Sequence, residues 1–217
     1  MVSYLAKIQF FCYNNLMKML LEFDHKKATQ AINYLAKKEG GKIDKLKLLK
    51  LVYFADRYHI RRYGRPMLND AYLAMPLGPV ASSVKDIAQA STLNDAVDKY
   101  AQKYISPRRK RNRIDSVADV DFKVFSKSEI EALDFAYNKF GQENPIKIAL
   151  STHRYPEWKK FETMLKSQET TVVPMLYMDF FLNPENGEND PYAMSEETLN
   201  ASKEAFEENY HVAEYWR

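Results

Sequence analysis

Asp56 and His59 are the residues in this chain whose types and spacing come nearest to chemistry. At i and i+3 on one helix face, a carboxylate and an imidazole could share a metal ion or form an acid–base pair. The simpler reading is a hydrogen-bonded pair that serves the fold. His153 and Glu157 repeat the combination less convincingly, because Pro156 interrupts the helix between them. The lone thiol, Cys12, sits in the apolar run Phe10-Phe11-Cys12-Tyr13 and reads as an inert buried cysteine. Only 6 glycines are present, and none has the spacing of a phosphate-binding loop; GxSxG and HExxH are also missing. The sequence therefore nominates no catalytic residue, no metal site and no cofactor.

Basic residues offer a second kind of chemistry. Arg108, Arg109, Lys110, Arg111 and Arg113 crowd one loop, which reads either as a phosphate-backbone contact or as a solvated hairpin tip. Lys47, Lys50, Arg57 and Arg61 fall within an arc of about 80° on one helix. That stripe has the same two readings and a third, docking on the acidic last helix of the same chain.

The elements that position these groups follow from caps and periodicity. Asp24 caps a helix that runs to Glu39 and stops at Gly40-Gly41. Asp44 opens a second helix, ended by Tyr63-Gly64-Arg65-Pro66, whose wide apolar face makes it central and leaves both Asp56 and His59 buried or half buried. Residues 67–76 read as extended chain around an Asn69-Asp70 turn, and Gly78-Pro79 as the opening of a third helix with Ser83 and Asp86 at capping-box spacing. Val120, Phe122 and Val124 alternate like a strand that pairs with Tyr104-Ile105 across the basic loop. Ser126 with Glu129 caps a fourth helix that stops at Gly141, and Asn144-Pro145 starts a fifth. Residues 172–182 leave helix and strand open, and an acidic helix over about 195–210 ends the pattern. The fold class expected is mainly α: a compact bundle of about five to seven helices with a small β-hairpin or short antiparallel strands.

With 217 residues, 46% hydrophobic and 28% charged, the chain has globular proportions and length enough for a substantial core. One cysteine excludes a disulfide framework and cysteine-based zinc sites. The net charge of +3 conceals a split: residues 1–113 hold 22 Lys and Arg against 9 Asp and Glu, and the remainder 10 against 20. Residues 1–23 are apolar but broken by Lys7, Asn14, Asn15 and Lys18, which argues against a spanning helix, and no small-residue cleavage site follows. We expect a cytoplasmic protein with no membrane partner, organised as an extension (1–23), a helical domain (24–165) and an acidic segment (166–217) packed on or extending that domain.

The succession Lys47-Leu48-Leu49-Lys50-Leu51-Val52-Tyr53-Phe54-Ala55-Asp56, then Tyr63-Gly64-Arg65-Pro66, Ala71 to Ala74 and Gly78-Pro79-Val80 resembles the Panacea domain, a SocA-like antitoxin domain. Thr152-His153 and Trp158 resemble its second half, and the likeness covers about residues 25–160. The resemblance implies a mainly helical, non-enzymatic protein that neutralises a toxin encoded nearby, with no catalytic residues to carry over. One relative acts as a proteolytic adaptor for its toxin. The motif residues Leu49, Tyr53, Asp56, Gly64, Pro66, Gly78, Pro79, Val80, His153 and Trp158 read as packing and turn chemistry. From residue type and expected exposure, the candidate anchors for a partner are Arg57, Arg61 and Arg62, the loop residues Arg108, Arg109 and Arg111, and Tyr215 and Trp216 near the C-terminus. A nucleic-acid regulator using residues 108–113 is the alternative.

Overall fold

The computed structural model describes residues 22–91, 94–108, 112–185, 187 and 190–215, except the side chains at 108, 210, 211 and 213–215. Helix α1 (His25–Lys38) is capped by the Asp24 carboxylate, which accepts from the Lys27 N–H at 2.9 Å. Strand β1 (Lys42–Asp44) leads into α2 (Lys45–Tyr63), where Asp44 accepts from Leu46 and Lys47 N–H at 2.8 and 3.2 Å. Every residue from Lys47 to Arg61 is buried. An amphipathic helix normally shows one face to water; α2 shows none, and the remaining elements are arranged as a sleeve around it.

That sleeve is assembled from both halves of the chain. Helix α5 (Lys127–Phe140), with the expected Ser126–Glu129 capping box, lies along α2 and stacks Phe140 on Phe54 at 3.9 Å and Phe135 on Tyr58 at 4.2 Å between centroids. Helix α6 (Pro145–Ser151) starts from the Asn144 cap and runs into a 3-10 turn, Thr152–Arg154. The short helices α7 (Pro156–Lys159) and α8 (Glu162–Lys166) follow. A second 3-10 turn, Tyr177–Phe181, brings Phe180 against Tyr53 and Tyr72. Last comes α9 (Glu196–Tyr215), whose Leu199, Ser202 and Phe206 are its buried positions. Helices α3 (Ser82–Gln89) and α4 (Asp95–Tyr104) flank α1. The described residues thus hold nine helices, mainly α as expected. The one-turn α7 and α8 account for the surplus over seven.

Three expectations about strands need correction. Gly78-Pro79 does not open a helix: β2 (Tyr72–Met75) and β3 (Gly78–Ala81) form an antiparallel hairpin, with Met75 opposite Gly78. Helix α3 begins only at Ser82, and its free N–H groups are capped by Asp70, which accepts from Ser83 and Val84 at 2.9 Å each. The Ser83/Asp86 capping box does not form, because a buried carboxylate from outside the helix has taken the position. The strand expected over Val120 to Val124 is a 3-10 turn, Phe122–Val124, and the partner of β4 (Ile105–Arg108) is β5 (Arg113–Ser116), which completes the order β1-β5-β4. Residues 172–182 divide between the two options: β6 (Val173–Pro174) adds to β2, and the 3-10 turn follows.

Gly64 fixes how α9 closes the sleeve. It ends α2 in the left-handed region at φ 64°, as the sequence implied, and a Cβ there would stand 2.4 Å from the Ser202 carbonyl oxygen and 2.9 Å from Ala205 Cβ. Backbone therefore rests directly on backbone. Gly64→Ala is expected to cost at least about 2 kcal/mol from left-handed strain and overpacking together. Thermal denaturation would show the loss, and hydrogen exchange would show α9 losing protection before α1.

Candidate functional site

The family-like residues converge around α2. Asp56 is fully buried: Oδ1 accepts from the Met67 N–H at 2.5 Å and Oδ2 from the Tyr72 hydroxyl at 3.0 Å. Burial pushes its carboxyl up to about 7. His59 is fully buried too, within the expected range, and both ring nitrogens are engaged, Nδ1 with the Arg65 carbonyl at 2.8 Å and Nε2 with the Ser128 hydroxyl at 3.0 Å. The two side chains hold the turn after α2 and the start of α5 rather than each other. They form neither a metal pair nor an acid–base pair.

Starting from the next residue, Arg57, an ionic cluster with no exposure forms on another side of the helix. Arg57 Nε donates to Glu157 Oε1 at 2.7 Å, the Tyr53 hydroxyl donates to the same oxygen at 2.6 Å, and Arg57 Nη2 donates to the Leu182 carbonyl at 3.2 Å. The guanidinium also lies 4.1 Å from the Tyr155 ring centroid. Burial by itself would lower the Arg57 pKa, but the Glu157 carboxylate with the Tyr53 and Tyr155 hydroxyls together hold the group above its usual value. Among the described residues, no carboxylate is in hydrogen-bond contact with Arg61. It donates to the carbonyls of Phe180 (2.8 Å), Leu182 (3.0 Å) and Tyr192 (3.3 Å) and to Asn183 Oδ1 (2.6 Å). Burial, with Arg57 beside it, lowers Arg61 to about 10. Asp190 accepts from the Tyr155 hydroxyl at 3.0 Å, and the Tyr192 hydroxyl donates to the Phe54 carbonyl at 2.9 Å.

The N-terminal half of the stripe meets the β2–β3 hairpin. Lys47 pairs with Glu39. Lys50 is fully buried and donates to the Pro79 carbonyl at 2.8 Å, and burial lowers its ammonium to about 7. Gly78, at φ 95°, lets the hairpin touch α6: a Cβ there would stand 2.2 Å from Thr152 Oγ1 and 3.1 Å from Lys50 Nζ. Trp158 Nε1 donates to the Met75 carbonyl at 2.9 Å, and His153 stacks on the indole at 3.7 Å and 9°. Burial and the nearby Lys50 lower His153 to about 4.

These positions correct the exposure on which two anchors rested. Arg57 and Arg61 are 0% exposed, so neither reaches the surface, and the stripe docks on Glu157 and the 180–192 segment rather than on the acidic helix. Arg62 does face solvent, with its side chain 52% exposed beside Glu131 at 3.6 Å. Arg108 ends β4 with its side chain undescribed, Arg109, Arg111 and Trp216 lie outside the described residues, and Tyr215 is the last residue of α9. Leu49, Tyr53, Gly64, Pro66, Pro79, Val80 and Trp158 are all buried. Sequence reasoning missed Glu157, Asp190, Tyr155 and Tyr192 as the polar partners of α2. They follow it by about 100 residues or more, and no periodicity links positions so far apart.

The match is to a family rather than to an individual protein. Residues 48–159, just over half of the chain, match the SocA-like antitoxin family, Panacea domain, and the chain belongs to that family. No curated protein and no solved structure matches the chain.

Two outcomes follow from the buried charges. Glu157→Ala strands the Arg57 guanidinium in the interior and is expected to cost about 3–5 kcal/mol, whereas Arg57→Met with Glu157→Met recovers much of that loss; urea denaturation measures both. Asp56, raised from its unfolded value, stabilises the fold below about pH 4 and loses that contribution as pH rises through about 7. Lys50, depressed from its unfolded value, contributes fully only above about pH 10 and loses its contribution as pH falls through about 7. Melting temperature should accordingly fall less between pH 4 and 7 in Asp56→Asn than in the wild type. Between pH 7 and 10 it should rise less in Lys50→Met.

Proposed function

We propose that this protein is an antitoxin that neutralises a cognate toxin by direct protein–protein binding, without catalysis of its own. The family match over residues 48–159 carries this reading. The chemistry of the matched segment agrees with it: Asp56, Arg57, His59, Arg61 and Glu157 are taken up by internal partners and serve the scaffold. Recognition then falls to the exposed surface around that scaffold, where an interface of about 1,600 Å² with a few anchors is enough to cover a toxin's active site or lock an inactive form. The working compartment we assign is the cytoplasm, and no helix among the described residues is long and apolar enough to cross a membrane. Residues 166–217 we assign to the same folding unit as 24–165, because the buried arginines of α2 take their acceptors from 180–192.

The test is co-expression with the adjacent reading frame, scoring growth and co-purification. The expected result is a neighbour that arrests growth alone, is tolerated with this chain, and elutes with it as a stoichiometric complex. A harmless neighbour with nothing co-purifying would remove the reading. Rescue without a complex, but with the neighbour's protein level falling in a protease-dependent way, would instead make the chain a degradation adaptor.

A further inference from the structure

We infer that the Arg57–Glu157 cluster is a binding site for internal water, one or two molecules that tie Asp190 and the C-terminal segment to α2. Four charged side chains meet there, and each keeps one polar atom that the protein leaves without a partner. Among the described residues those atoms are Arg57 Nη1, Arg61 Nε, Glu157 Oε2 and Asp190 Oδ2. The residues that carry them are 0%, 0%, 0% and 6% exposed, so bulk solvent does not hydrate them. Nearly all buried polar atoms in proteins do find a partner, from the chain or from ordered water. Here the chain supplies none.

The four groups belong to one place. Arg57 Nε meets Glu157 Oε1 at 2.7 Å, and Arg57 and Arg61 share the Leu182 carbonyl at 3.2 and 3.0 Å. Asp190 Oδ1 accepts from the Tyr155 hydroxyl at 3.0 Å, and the Arg57 guanidinium lies 4.1 Å from the centroid of that same ring. Asp190 Oδ1 also accepts from the Tyr192 N–H at 3.3 Å, while Arg61 Nη2 donates to the Tyr192 carbonyl, likewise at 3.3 Å. Yet the remaining donors and acceptors do not bond to one another. Neighbouring polar groups held out of direct contact are the setting in which a water bridges.

The chemistry of the four atoms selects the ligand. Two belong to N–H donors and two are carboxylate oxygens, so together they call for a molecule that both accepts and donates hydrogen bonds. Water does both. Two guanidinium groups and two carboxylates also cancel in charge: an anion would face Glu157 and Asp190, a cation would face Arg57 and Arg61, and either would have to shed its hydration. A polar site takes up water where an apolar one stays dry. The rings of Tyr155 and Tyr192 both lie against Arg57, so a water held here leaves only when the surrounding segment opens. The site stands whether or not a toxin binds elsewhere.

The experiment is a crystal structure of the full chain, grown with bromide as the sole halide and measured at the bromine edge, beside oxygen-17 relaxation dispersion of the same protein in solution. Density is expected at about 2.7–3.2 Å from at least three of the four atoms, without an anomalous peak. In solution, Asp190→Leu removes one acceptor and should lower the number of long-lived waters by at least one. The comparison with wild type is needed because proteins hold about one buried water per 27 residues. Arg61 Nε bonded directly to Asp190 Oδ2, with no density between the groups, would overturn the site. A bromide peak would make it an anion site instead and sink the water assignment, and an unchanged dispersion profile in folded Asp190→Leu would count against it equally. Should Asp190→Leu not fold, the wild-type crystal structure decides alone.

Discussion

Everything in this fold depends on a match between the polar face of α2 and groups supplied from far along the chain, above all the Arg57–Glu157 pair. Removing a guanidinium and a carboxylate from water costs several kcal/mol each, and their mutual attraction offsets that only when the geometry is good and the remaining polar atoms are occupied. Here Glu157 Oε1 accepts from both Arg57 and Tyr53, and the ring of Tyr155 lies against the guanidinium. Among the described residues, Arg57 Nη1 and Glu157 Oε2 nevertheless find no hydrogen-bond partner, nor do Arg61 Nε and Asp190 Oδ2. The cluster is therefore an inefficient source of stability. Its contribution is to exclude alternative arrangements, since any other path of the 155–192 segment leaves two guanidinium groups buried without acceptors.

Two other buried charges of α2 meet burial by a different route. Asp56 and Lys50 have no opposite charge beside them; each is held by neutral groups, Asp56 by an amide and a hydroxyl and Lys50 by a carbonyl. Their titration is accordingly drawn toward neutrality from opposite directions, up for the acid and down for the base. Arg57 and Arg61 share one side of the helix with Lys50, while Asp56, next to Arg57 in sequence, turns to the other side toward the Met67 amide and the Tyr72 hydroxyl.

Local grammar made much of this legible. Caps at Asp24, Asp44, Ser126 and Asn144 and the stop at Gly64 act over three or four residues, and each appears where the sequence places it. Asp70 shows where local grammar fails: it caps α3 from thirteen residues upstream, and the nearer Ser83–Asp86 signal goes unused. The charged stripe misleads for a related reason. Lysines and arginines repeating on one helix face describe a solvated surface in most chains, and nothing within 30 residues of Arg57 and Arg61 announces that Glu157 and the carbonyls of Phe180, Leu182 and Tyr192 will enclose them. The family resemblance was legible for the opposite reason, because its glycines and prolines are fixed by close approach and turn geometry at their own positions.

Arg61 draws three of its four acceptors from main-chain carbonyls, those of Phe180, Leu182 and Tyr192. A carbonyl is the same on every residue. The segment that completes the core is thus held partly by the route of its backbone, and by the side chains of Phe180, Asn183, Asp190 and Tyr192 besides. The family match ends at residue 159, but the hydrophobic core does not. The span that the family describes and the span that the core requires therefore end in different places.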